Sequence, residues 1–238
     1  MLIASPLQTR RALLTWQRPL GYGGSRDRFA VGEFVQHEDG VSFRALPGGI
    51  ADARAQGFEG YPGLATEDGD EAVRVLLRRL PPRGRGDFGE YLEGFGLAAD
   101  APLTDLSLLA YTGARVISES DGFGVTETFD GFERPFRYPF EVAGYRHYRE
   151  ALPPLETGQP LHVIPDDDNP RDADAVQVVT ERGECAGYIN RYQAPQVRDW
   201  LRSAPVALRV FRLGTRPAYP RLFVMADVRA QDATVEAV

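Results

Sequence analysis

The stretch IPDDDNPRDADAVQVV, Ile164 to Val179, places five aspartates (Asp166, Asp167, Asp168, Asp172 and Asp174) within nine residues and runs into an apolar segment. Carboxylates at this density admit three chemistries: a metal cage, a carboxylate pair for acid–base or phosphoester work, or a turn held by aspartate side chains. The calcium-loop spacing D-x-[DN]-x-[DN]-G fails in every register, because Pro170 or Arg171 falls on a ligand position or the glycine is missing. A two-metal cage needs carboxylates from separate elements about 4 Å apart, which one loop does not supply by itself. Turn chemistry fits better: Asn169-Pro170 initiates a tight turn, and Asp172 is placed to accept from backbone amides two residues on. The run reads mainly as a turn with one functional aspartate, and a metal-dependent nuclease or phosphoesterase is the alternative.

The rest of the composition narrows the chemistry. All 27 basic residues are arginine and none is lysine. That removes a Walker A loop, a pyridoxal Schiff base and the phosphate-pairing lysine of a protein kinase. One cysteine, Cys185, and three dispersed histidines, His37, His147 and His162, make neither a Cys-type zinc site nor an H-E-x-x-H pair. His37 and His162 receive no role. The G-x-G-x-x-G string at Gly84–Gly89 follows a helix and two prolines rather than a strand, so it is not a dinucleotide fingerprint. No cofactor and no metal is expected, and the chain reads as a binding module rather than an enzyme. Any anion bound here meets guanidinium, which suits bidentate phosphate contact.

Net charge is −7 over 238 residues, which argues against a protein that coats nucleic acid with a broad basic face. The charge is uneven. Residues 1–136 carry 14 arginines against 20 acidic residues, a net −6, while residues 137–238 carry 13 against 14, a net −1. A nucleic-acid contact is therefore expected as a local site in the second part. No apolar run reaches the ~18–20 residues of a membrane span. The opening MLIASPLQTRR lacks the order of a signal peptide, and a cytoplasmic location with no membrane partner is expected.

The elements that must position these residues fall into two parts, 1–136 and 137–238. In the first, FAVGEFVQHEDGVSFRAL alternates on either side of Glu38-Asp39-Gly40, a hairpin signature. Ala72, Val73, Leu76, Leu77 and Leu80 then fall on one helical face, and Pro81-Pro82 stops the helix. Further helices are expected at Asp87–Phe95 and Leu103–Tyr111, the latter capped by Thr104. A second hairpin is expected around Asp121-Gly122. Near Gly131–Phe140 aromatic, arginine and proline residues crowd together, and beyond them the pattern changes to short strands (FEVAGYRHY, LHVI, AVQVV, CAGYI, VALRVFRL, RLFVMADVR) with one helix at Ala194–Arg202. The expected fold is an α+β first part followed by a small OB-like β-barrel, closed or partly closed, with one or two short helices.

Two resemblances follow from these residues. Trp16, Val31-Gly32, Leu80-Pro81 and Arg85 give the first part a weak similarity to the non-catalytic N-terminal subdomain of HipA-type toxin kinases. The kinase core is absent, and the similarity implies a protein-docking scaffold. In the second part, V-A-G-Y-R-H-Y, then D-N-P-R-D-A-D-A-V, then G-Y-I-N-R and a helix, over about Pro139–Val228, resemble the HIRAN domain. That resemblance implies an OB-like barrel that binds the 3′ end of single-stranded DNA, in repair, replication stress or phage defence; an adaptor without nucleic-acid binding is a third reading.

Carried over, the family's basic–aromatic–aromatic strand motif falls on Arg146, which would grip a terminal phosphodiester, and on His147 and Tyr148, which would stack on a base. Asp172 matches the carboxylate that accepts the 3′-hydroxyl, and Asp168 and Asn169 match polar pocket residues. Tyr188 and Arg191 match an edge contact and a phosphate contact. Arg171 stands where the family has an aromatic, Asp174 where it has asparagine and Asp168 where it is often uncharged; Arg171 can stack as a guanidinium plane. Asp166–Asp168 place negative charge close to the implied phosphate path.

Overall fold

A computed structural model of the chain describes residues 2–19, 27–64, 69–114, 122–214 and 220–229. The chain forms two compact units, one from Leu2 to Gly131 and the other from Phe132 onward. Among the described residues no helix is long and apolar enough to cross a membrane.

The first unit is built on an antiparallel sheet of four strands, β1 (Arg11–Gln17), β2 (Arg28–His37), β3 (Gly40–Ala45) and β4 (Phe123–Glu127), in the order β3-β2-β1-β4. The hairpin expected around Glu38-Asp39-Gly40 is β2–β3, with His37 opposite Gly40. Of the second expected hairpin, the first arm through Asp121 lies outside the described residues; the described arm, β4, pairs with β1. Helix α1 (Pro47–Arg54) has no counterpart in the sequence reading, because Gly48-Gly49 mask it. Gly49 is required there: a Cβ at this position would lie 1.7 Å from the carbonyl oxygen of Ala30 on β2.

Helix α2 (Gly69–Leu77) buries Ala72 and Leu76 as its spacing predicts. It stops short of Leu80 because Arg79 and Leu80 bond back three residues, in a turn that leaves the position before Pro81 out of the helix. Helix α3 (Phe88–Glu93) follows, and α4 (Asp105–Thr112) is capped by Thr104, whose Oγ1 accepts from the amide of Ser107 at 3.1 Å. Leu14, Phe34, Leu76, Leu106 and Leu109 are the centre of this core.

The second unit is a six-stranded antiparallel sheet made of β5 (Phe136–Glu141), β6 (Pro160–Pro165), β7 (Val176–Val179), β8 (Cys185–Tyr188), β9 (Val206–Leu213) and β10 (Leu222–Val228), ordered β5-β10-β9-β6-β7-β8. Alternation sends Tyr138, Phe140, Leu161, Val178, Leu208 and Val224 inward as the core. The curled sheet closes partly on itself. Just past β5, Ala143 and Tyr188 exchange both backbone hydrogen bonds, at 2.7 and 2.9 Å. Gly187 makes that closure possible: its φ is +136°, and a Cβ would meet the Ala143 carbonyl oxygen at 2.5 Å.

Pro139 is tolerated inside β5 because that strand pairs along its length with β10 alone. Helix α6 (Ala194–Ser203) buries Val197 and Trp200, the indole meeting Phe136 edge-on at 5.0 Å between ring centres. The architecture is the α+β part and the small OB-like barrel that the sequence predicts.

Candidate nucleic-acid interface

Outward positions on the barrel wall line up across its strands. Ile164 opposes Gln177, Gln177 opposes Tyr188, and Tyr188 opposes Ala143, so one row of side chains crosses β6, β7, β8 and the closing bridge. Ile164 ends this row as an apolar side chain that is 48% exposed. Asp166, two residues beyond Ile164, lies on the same face and ties the row together. Its Oδ2 accepts from Asn169 Nδ2 at 3.0 Å, Gln177 Nε2 at 3.1 Å and the Tyr188 hydroxyl at 3.0 Å.

These donors set the protonation of the site. The bonds from Asn169, Gln177 and Tyr188 hold the Asp166 carboxyl below the usual carboxylate range. Burial, together with Tyr148 and the Asp166 carboxylate, pushes the Tyr188 phenol up, so it stays protonated and remains the donor. The neighbouring Cys185 thiol is also pushed up by burial.

The bond network continues into the turn. Asn169 Oδ1 accepts from the amides of Arg171 at 3.0 Å and Asp172 at 3.2 Å. Asp172 Oδ1 accepts from the amide of Asp174 at 3.1 Å, the two-residue reach expected of it. Hydrogen bonds thus link the side chains of Tyr188, Asp166 and Asn169 with the backbone amide of Asp172 in one connected set. Arg198 of α6 fastens the loop from below, through an ion pair with Asp167 and a 3.3 Å bond to the carbonyl of Ala175. The acidic run is therefore largely spent: Asp166 on three donors, Asp167 on Arg198. Asp168 stays exposed. Among the described residues no group of three or more histidine, cysteine, aspartate or glutamate side chains is placed to hold a metal ion.

One expectation is corrected. Arg146, His147 and Tyr148 are not on a strand; they form the short helix α5 (Tyr145–Tyr148), followed by a 3-10 turn at Arg149–Ala151. Gly144, with φ +76°, breaks β5's extension so that the chain coils over the end of β8. The coil buries Tyr145 inward and brings the Tyr148 ring to 6.2 Å from that of Tyr188. Arg146 and His147 are exposed, with Arg146 Nε donating to His147 Nε2 at 3.0 Å.

Of the residues singled out from sequence, Tyr148, Asn169, Asp172 and Tyr188 are gathered by this network. Arg146 and His147 border it on α5. Arg171 and Arg191 are exposed, the first on the Asn169 turn and the second just past β8. The network also takes in Asp166, Gln177 and Arg198, to which the sequence assigns no site role. Strand alternation in VQVV and AGYI carried a signal for Gln177 and Tyr188, since both are outward positions; nothing local marked Asp166 apart from its neighbours.

Residues 136–223 match the family model of the HIRAN domain, against the expected Pro139–Val228, and the second unit carries a domain of that family. Two solved structures are similar to the chain. The HIRAN domain of human HLTF is 20% identical, covering 39% of this chain and 76% of that one with a TM-score of 0.32. A protein from Lactobacillus plantarum is 21% identical, covering 37% of this chain and 89% of its own, with a TM-score of 0.30. Among curated proteins none matches.

Proposed function

We propose that the second unit is a nucleic-acid-binding module that receives the 3′-hydroxyl end of single-stranded DNA on the outer barrel wall beside α5. The HIRAN match supports nucleic-acid binding as the general class. The observation that carries the finer reading is the connected set Tyr188–Asp166–Asn169–Asp172, which presents aromatic faces at one end and a carboxylate at the other. Tyr148 and Tyr188 offer stacking surfaces, worth about 1–3 kcal/mol per base. Arg146 on exposed α5 takes the terminal phosphodiester through charge-assisted bonds. Asp172 has one oxygen engaged by its own turn, and its Oδ2 accepts the terminal hydroxyl while repelling a 3′-phosphate. In repair, replication stress or phage defence, such a module would mark exposed 3′ ends, with the first unit docking a protein partner.

The reading is tested by titrating one single-stranded oligonucleotide with a 3′-hydroxyl or a 3′-phosphate. Wild type should prefer the hydroxyl. Asp172→Ala should lose about tenfold on the hydroxyl end, one charge-assisted bond's worth, and bind the phosphate end equally or slightly better. Arg146→Ala should weaken both. Indifference of the wild type to end chemistry would sink the 3′-end assignment.

A further inference from the structure

The same outer wall continues beyond the Tyr188 row. On β5 the outward positions are Arg137, Pro139 and Glu141, and Ala143 follows at the closing bridge. Glu141 opposes Phe223 on β10, which opposes Arg212 on β9; in the next row Pro139 opposes Met225, which opposes Arg209. Each of these side chains is exposed or half-buried. The Arg212 guanidinium lies 3.8 Å from the centre of the Phe223 ring. Arg221 reaches Glu141 at a loose 3.7 Å, with its side chain 43% exposed. Arg209 is exposed and donates to the Gly158 carbonyl at 3.2 Å. With Arg137, which pairs with Asp227 at 3.4 Å one row further on, four guanidinium groups share this wall with two carboxylates, Glu141 and Asp227, on a chain whose net charge is −7.

We infer that this wall of β5, β10 and β9 is a track for the phosphodiester backbone of the single strand whose end sits at Tyr148 and Tyr188. The inference rests on the end-binding reading above. Charge and continuity carry it: the positive side chains adjoin the Tyr188 row through Glu141 and Ala143, whereas the loop on the row's other side is acidic. Three strand spacings separate β8 from β9 by way of β5 and β10, about 14 Å at ~4.8 Å each. That length accommodates a few nucleotides, within the ~4–16 that one OB barrel covers. Arg212, held against an aromatic ring, loses little side-chain freedom when it takes a phosphate. Phe223 and Met225 supply the apolar contacts that sugars and bases accept without regard to sequence.

The test is a length series of 5′-labelled oligothymidines with 3′-hydroxyl ends, from about 2 to about 12 nucleotides, against the full chain and its Arg209→Glu variant. Arg209 is exposed, so circular dichroism of the variant should match wild type. Wild-type affinity should rise roughly tenfold with length and then level off, the salt slope steepening by about 0.7 per added phosphate. Arg209→Glu should remove most of that gain while leaving the shortest ligand's affinity unchanged. A flat length dependence with intact binding of the shortest ligand overturns the track and leaves the end pocket standing. Absence of binding at every length overturns both. If Arg209→Glu instead changes the sedimentation of the free protein and not its oligonucleotide affinity, the wall is an interface between copies and the track is wrong.

Discussion

The Tyr188 phenol donates to Oδ2 of Asp166 at 3.0 Å, joining residues 22 positions apart and locking the aspartate loop to the end of β8. Asp166 receives two further donors on the same oxygen. An asparagine there keeps the shape and loses the charge that shortens and strengthens such bonds. Asp166→Asn should speed amide exchange across residues 166–175 and weaken oligonucleotide binding several-fold, with the remaining strands unaffected. The native carboxyl is depressed, so its contribution is present above the ordinary carboxylate pKa and is lost as pH falls through the lower, folded value. Loop protection followed by exchange NMR should therefore persist at neutral pH and fade only in acid. Unchanged exchange in the variant would mean that Arg198 and the Asn169–Asp174 turn bonds hold the loop without the Asp166 charge.

Tyr148 is expected to act by its face. Tyr148→Phe should keep most oligonucleotide affinity, and Tyr148→Ala should lose about tenfold, in line with ~1–3 kcal/mol for one stacked base. Fluorescence anisotropy with a single labelled strand distinguishes the two. Equal losses in both variants would assign the role to the hydroxyl instead.

Gly187 is the conformational lock of the barrel. Gly187→Ala forces a side chain into φ +136° and within 2.5 Å of the Ala143 carbonyl. A loss of about 3 kcal/mol is expected, from backbone strain and a displaced strand bridge. Thermal unfolding should report it, together with loss of binding, since α5 follows directly from that bridge. A variant that melts like wild type would show that the bridge bears little of the fold.

Glu127 in the first unit is 1% exposed, and burial pushes its carboxyl up to about 7, against the pull of donors from Thr9, Phe129 and Thr128. A raised folded pKa means that stability is fully present below the unfolded value near 4.5 and is lost as pH rises through about 7. The loss is on the order of 3 kcal/mol. Urea unfolding at pH 5 and pH 8, compared between wild type and Glu127→Gln, should show this component in wild type only. Parallel pH profiles would show that Glu127 is ionised throughout.

Much of this architecture is legible in the chain because it is written in local patterns. The β2–β3 hairpin follows from alternation around a turn, α2 from apolar spacing, and the Thr104 cap from a hydroxyl placed before an apolar run. The Asn169–Asp174 turn is legible for the same reason: its hydrogen bonds span two or three residues, so side-chain type and spacing dictate them. Helix α5 departs from the expected strand because four residues carry too little periodicity to separate helix from strand; Gly144 in a left-handed conformation and the docking of Tyr145 into the core decide it. Asp166 looked like one more acid in a run because its partners lie on β7 and β8, and only strand register brings Gln177 and Tyr188 to one oxygen. Register also places Arg209 and Arg212 of β9 opposite Met225 and Phe223 of β10, on the wall that Arg221, just before β10, joins through Glu141. Such partners are chosen by which strands pair and which side chains face outward, and both are properties of the closed sheet that no short window of sequence contains.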